Sequence, residues 1–68
     1  MDRVPVSSSS IASIGYDPDT LTLEIEFRIG AVYQYASVSQ GENEGFISSD
    51  SKGIYFNSYI KRYHCIRL

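Results

Sequence analysis

From Thr20 to Ile29 the chain alternates residue by residue, with Leu21, Leu23, Ile25, Phe27 and Ile29 on one side and Thr20, Thr22, Glu24, Glu26 and Arg28 on the other. A period of two over this length predicts a half-buried β-strand with one wet face. A shorter alternation over Ile11 to Tyr16, with Ala12, Ile14 and Tyr16 on one side, predicts a preceding strand. Asp17-Pro18-Asp19 ends it, because proline presets φ and aspartate bonds back to the backbone. Gly30 makes the next turn, and Ala31 to Ala36 predicts a third strand on which Tyr33 and Tyr35 share a face. Three consecutive strands joined by short turns form an antiparallel meander. Ahead of it, Arg3-Val4-Pro5-Val6 and four serines read as an extended entry, since Pro5 removes a ladder donor and the serines offer competing local hydrogen bonds.

The periodicity then lengthens. At 100° per residue, Tyr55, Phe56, Tyr59, Ile60 and Tyr63 fall on one side of a helix over Ile54 to Tyr63, while Asn57, Ser58, Lys61 and Arg62 face away. Asp50 or Ser51 can cap its start. Between Val38 and Ser49 a weaker helix is expected, with Ser39 as its cap and acids in the first turn, although its two glycines each cost about 1 kcal/mol relative to alanine. Tyr63 to Leu68 reads as extended and able to add a short strand. The predicted fold is therefore α+β: a three-stranded antiparallel meander packed by a C-terminal amphipathic helix, with a short weaker helix before it. At 68 residues it is a single domain spanning 1–68.

Composition changes this picture in two respects. Cys65 is the single cysteine, so neither an internal disulfide nor a cysteine-based zinc cluster can form. With no apolar leader at the N-terminus and no run near the ~18 residues of a membrane span, a cytoplasmic protein without membrane association is expected. The net charge of −2 does not mark a generic nucleic-acid binder, but its distribution is uneven. Residues 1–50 carry all eight acids against Arg3 and Arg28, a formal −6; residues 51–68 carry Lys52, Lys61, Arg62 and Arg67 with no acid, a formal +4. A basic tail on an acidic body can focus an anionic partner locally. It can equally be attracted to the body within the fold.

The chemical inventory argues against catalysis. His64 is the one imidazole and Cys65 the one thiol; adjacent on an extended segment, they point to opposite faces and form no nucleophile–base pair. Glu24 and Glu26 share the outer face of a strand and read as a solvated polar face, with nothing apolar beside them to raise a pKa. A lone histidine gives no transition-metal site, and Asp17-Pro18-Asp19 is too short for a calcium loop, so neither metal nor cofactor is expected. Ser49-Asp50-Ser51-Lys52-Gly53 before the helix reads as a capped start with a tight turn, or as an anion-recognition site. The tyrosine stripe reads first as core, and second as a stacking platform for bases.

These residues resemble a known family. Val4-Pro5-Val6-Ser7-Ser8-Ser9 with Ile11-Ala12-Ser13-Ile14-Gly15-Tyr16-Asp17 is similar to the opening of KTSC domains. Thr20-Leu21-Thr22-Leu23-Glu24-Ile25-Glu26-Phe27, Gly30 and Val32-Tyr33-Gln34-Tyr35 continue the likeness, and Ser51-Lys52-Gly53, Tyr55-Phe56-Asn57 and Ile60 close it. The family takes its name from a domain at the C-terminus of some lysyl-tRNA synthetases, with similar small proteins in bacteria and phages. The resemblance implies a compact α+β domain, a free-standing KTSC protein and a role in RNA binding, with no catalytic residues to carry over. It breaks after Val38, where Ser39, Glu42 and Asn43 replace the proline and apolar-aromatic pair usual in the family, so the resemblance does not carry the packing of the first helix.

The expected function is thus a non-catalytic binding module. Its candidate residues are Ser51, Lys52, Gly53, Tyr55, Asn57, Lys61, Arg62, His64 and Arg67, with RNA or another nucleic acid as the partner. Two alternatives stand beside it. One is a protein-interaction or self-association module that pairs through an exposed strand edge. The other is a pocket for an anionic small molecule such as a nucleotide, between Lys52-Gly53 and the basic tail.

Overall fold

The alternating stretch becomes the central strand of a five-stranded antiparallel sheet in a computed structural model that describes all 68 residues. Chain order and spatial order coincide: β1 (Val4–Pro5), β2 (Ile11–Asp17), β3 (Thr22–Phe27), β4 (Val32–Tyr35) and β5 (Cys65–Arg67). The meander of β2, β3 and β4 is present, but the sheet is wider than three strands. The extended entry adds β1 against β2, with Val4 opposite Ile14, and the C-terminal segment adds β5 against β4, with Tyr33 opposite Arg67.

The central strand is shorter than its alternation. Leu21 adopts φ 55° in the turn before it and is exposed, and Ile29 lies in the turn after it, 92% exposed. The Gly30 amide donates to the Phe27 carbonyl (2.9 Å) and pulls the chain round before Ile29 can pair. Turn geometry at each end thus overrides a pattern that continues through it. A bulge at Ala12 separates the pairs Ile11–Phe27 and Ser13–Glu26, which keeps both Ile11 and Ile14 on the inner face.

Helix α1 (Gln40–Ser48) forms where the weaker helix was expected, and the Ser39 hydroxyl accepts from the Glu42 amide at 3.1 Å. Despite the break in the family pattern, it is anchored by Phe46, which is fully buried. The second helix departs from expectation. It starts earlier, as α2 (Lys52–Tyr55) capped by Ser51, and continues as a π-helical turn over Phe56–Ile60 instead of an α-helix to Tyr63. The Lys61 amide donates to the Phe56 carbonyl five residues back, at 2.9 Å, and this wider turn spoils the 100° periodicity. Ile60 is consequently fully buried while Tyr59 is 47% exposed.

Both helices lie on one face of the sheet. Ile11, Ile14, Leu23, Ile25 and Tyr35 from the strands meet Val38, Phe46 and Ile60 in a single core. Burying each large apolar side chain stabilises by roughly 1.5–3 kcal/mol. Phe56 sets its ring edge-on to both Phe27 (5.3 Å) and Tyr35 (5.6 Å), locking the π-helical turn onto β3 and β4. The opposite face of the sheet carries no helix.

Candidate functional site

Three of the four cations of the C-terminal segment, together with its histidine, lie in the stretch of turn and edge strand after the π-helical segment. Lys61 and Arg62 occupy the turn that follows the π-helical segment, His64 leads into β5, and Arg67 ends that strand; all four are exposed. The molecule contains one ion pair, Arg3 with Glu24, so Lys61, Arg62 and Arg67 face solvent without a carboxylate partner. Arg67 holds its guanidinium 6.0 Å from the centre of the Tyr33 ring, at the outer range of a cation–π contact, which aligns it along the sheet edge.

Of the other expected site residues, all but Asn57 are occupied within the fold. Ser51 gives its hydroxyl to capping, accepting from the Ile54 amide at 3.3 Å. The Lys52 ammonium donates to the Ser49 carbonyl at 2.7 Å, tying the start of α2 to the end of α1. Gly53 lies beneath Ser10, whose hydroxyl would stand 3.1 Å from an added Cβ. Tyr55 donates its hydroxyl to the Glu42 carboxylate, and Tyr63 donates to the same carboxylate at 3.3 Å. The hydrogen bond to Glu42, assisted by burial and by that negative charge, pushes the Tyr55 phenol up to about 12; burial and Glu42 raise Tyr63 as well. Gly45 makes room for this arrangement, since a Cβ there would come within 2.5 Å of the Tyr55 hydroxyl oxygen. Asn57 is exposed on the π-helical turn, away from this network.

The face without helices corrects the reading of Glu24 and Glu26 as a solvated pair. Glu24 is 5% exposed. Arg3, brought over the sheet by β1, donates to the Glu24 carboxylate and to the Ser13 hydroxyl (3.1 Å). The Ser13 hydroxyl donates to the Glu26 carboxylate at 2.8 Å, and the Gln34 amide donates to Glu24 at 2.8 Å. The Gln34 hydrogen bond, reinforced by Arg3, holds the Glu24 carboxyl below the usual glutamate range against the opposing effect of burial. Gly15 is what lets the arm lie so close: a Cβ there would meet the Asp2 carbonyl oxygen at 2.7 Å. Alternation along one strand cannot reveal a cover supplied by residues twenty positions earlier.

Beside this network the sheet surface dips. Thr22, Gln34, Tyr35, Ala36, His64 and Ile66 line a depression of about 130 Å³. It is not the pocket expected between Lys52-Gly53 and the basic tail, for neither residue lines it. Only His64 among the sequence-derived candidates does so; Thr22, Gln34 and Ile66 gave no local signal and meet there because β3, β4 and β5 are adjacent. Cys65 stands in register with Tyr35 on the helix side of β5, apart from this depression. Burial pushes the Tyr35 phenol up to about 12, with Cys65 and Tyr33 adding to the shift. No three His, Cys, Asp or Glu side chains converge in a group able to hold a metal ion, and no helix is long and apolar enough to cross a membrane.

Comparison with known proteins adds three findings. The KTSC domain family model matches residues 7–63. A crystal structure of a KTSC domain protein from Yersinia pestis superposes with a TM-score of 0.94 at 48% identity, covering 98% of this chain and 96% of that one. Among relatives, an uncharacterized protein of Stutzerimonas stutzeri is 42% identical over 64 residues, which is 94% of this chain and 90% of that protein. A lysine–tRNA ligase of Nostoc punctiforme is 42% identical over 53 residues, 78% of this chain but only 9% of the ligase's own length.

Proposed function

This chain belongs to the KTSC domain family, and we propose that it is a non-catalytic RNA-binding module whose contact surface is the turn and edge strand carrying Lys61, Arg62, His64 and Arg67. The observation that carries this reading is the absence of any carboxylate partner for Lys61, Arg62 and Arg67 in a segment without a single acid. Three solvated cations on one short stretch suit a chain of phosphates, which releases counterions when bound. Relatives named lysine–tRNA ligase carry a similar domain, and an enzyme of that name handles RNA, which favours RNA over other polyanions. The exposed Tyr59 offers a ring face on which an unpaired base can stack.

The acidic body limits the affinity but not the logic, because exposed charges beyond about 8–10 Å are screened at physiological salt. Fluorescence anisotropy with labelled single-stranded RNA, tRNA and single-stranded DNA tests the proposal. At low salt the protein should bind RNA, and the combined variant Lys61→Ala, Arg62→Ala, Arg67→Ala should lose that binding while keeping its circular dichroism spectrum. Equal binding by the folded variant would remove this surface from the account.

A further inference from the structure

The depression on the open face of the sheet is small, and its polar wall is held in place from behind. A cavity of about 150 Å³ accommodates a benzene ring, whereas pockets enclosing drug-sized ligands run to roughly 300–1,000 Å³. At about 130 Å³ and open to solvent on one side, the depression can seat at most one six-membered ring, with part of the ring outside it. Ala36 and Ile66 supply apolar contact, and Thr22, Gln34 and His64 supply hydrogen-bonding groups.

Gln34 is the informative residue. Glu24 is an acceptor held by Arg3, so the Gln34 side chain must turn its NH2 toward Glu24, as the 2.8 Å contact shows. Its carbonyl oxygen is then left as a fixed acceptor for a ligand's N–H. Thr22 accepts a hydrogen bond from the Thr20 hydroxyl at 2.9 Å, which leaves its own O–H free to donate. The wall therefore offers one acceptor and one donor, which complement the N–H beside an oxygen or ring nitrogen found on an edge of every nucleobase; the small size of the depression is what favours a single ring over two. His64 belongs to this wall and follows the Lys61–Arg62 turn, whereas Arg67, in register with Tyr33, lies on the helix side of β5.

We propose that the depression lined by Thr22, Gln34, Ala36, His64 and Ile66 is a subsite for a single pyrimidine base, with Gln34 as the reading residue and Arg3 and Glu24 as the residues that position it. This deepens the RNA-binding reading and rests on it for the biological source of the base, but its chemistry is testable without phosphate. Uncharged nucleosides are titrated into isotope-labelled full-length protein, and nitrogen–proton correlation spectra are followed. Uridine and cytidine should shift the Gln34 side-chain amide and the backbone amides of Ala36, His64 and Ile66, and should do so more than adenosine or guanosine. Gln34→Leu should weaken the effect about fivefold, the loss of one hydrogen bond. Glu24→Gln should also weaken it, because Gln34 is then free to turn its amide over, while both variants keep the wild-type salt dependence of RNA binding.

Several results would overturn the assignment: no shift at these residues with either pyrimidine nucleoside at saturation, larger shifts with the purines, or a response to phenol alone. A nucleoside null alongside salt-dependent RNA binding removes the subsite and leaves the phosphate surface standing. Pyrimidine shifts at Gln34 without RNA binding keep the subsite and remove the phosphate surface.

Discussion

The two faces of the sheet are built on different physics. The helix-covered face is a continuous apolar core in which Phe46, Ile60 and Val38 close over Ile11, Ile14, Leu23 and Ile25. The open face excludes water from Glu24 with a hydrogen-bonded chain running from Arg3 through Glu24 to Gln34, and from Ser13 to Glu26. The first kind of order comes from non-directional burial and tolerates any residue of suitable size and polarity. The second depends on partners being present, and fails when one is missing. In a domain of this size a single core supplies only a few kcal/mol of net stability, so both faces matter to folding.

The largest effect should come from the covered face. Phe46→Ala removes the most voluminous fully buried side chain and should cost about 3–5 kcal/mol, enough to leave most of the protein unfolded at room temperature. Thermal or urea denaturation checks this. On the open face, Arg3→Ala leaves the Glu24 carboxylate buried without its cation. Arg3 is itself partly exposed, so solvent screening reduces the loss to about 1–3 kcal/mol. The joint replacement Arg3→Met, Glu24→Leu should restore most of that stability, because two apolar groups no longer need pairing. A double variant as unstable as the single one would show that the two faces do not differ in the way described.

Acid should separate them as well. The native Glu24 pKa lies below its ordinary value of 4.5, so its contribution is present above that value and disappears as pH falls through the lowered native one. Wild type should lose stability over this range, and Glu24→Gln should lose less. Tyr55 gives the opposite sign at alkaline pH: raised from 10.0 to about 12, it contributes stability below pH 10 that is lost between those values. Tyr55→Phe should flatten that alkaline limb and cost about 1 kcal/mol at neutral pH, read from the urea midpoint. The smallest change is expected where binding is proposed: replacing Lys61 and Arg62 together should alter stability by about 0.5 kcal/mol or less, since neither is paired.

The covered face was legible in the sequence because its signal is local. Leu23, Ile25 and Tyr35 follow from a period of two, and Ser39 followed by acids marks the start of α1. Strand ends were not legible, since Leu21 and Ile29 continue the alternation but sit in turns whose hydrogen bonds the pattern does not encode. Nor was the π-helical turn: Tyr59 fits an α-helical stripe, and only the pairing of Lys61 with Phe56 reveals the wider winding. The expected site residues divide in the same way. Lys61, Arg62, His64 and Arg67 are exposed, as an acid-free stretch suggests, whereas Lys52 and Tyr55 looked available until Ser49 and Glu42 proved to hold them. Gln34 carried no signal, because its hydrogen bond to Glu24 depends on the neighbouring strand and on Arg3.

The salt dependence of RNA binding, measured in parallel for wild type and the Lys61→Ala, Arg62→Ala, Arg67→Ala variant, goes most directly to the claim that the edge-strand cations are the contact surface. With three phosphates neutralised on a single strand, the log–log slope should be about −2, a loss of affinity of roughly fifteen- to twentyfold between about 50 and 200 mM salt. The variant should show a slope near zero and little binding. RNA binding with a wild-type slope in the variant, or no RNA binding by the wild type at the lowest salt, would contradict it.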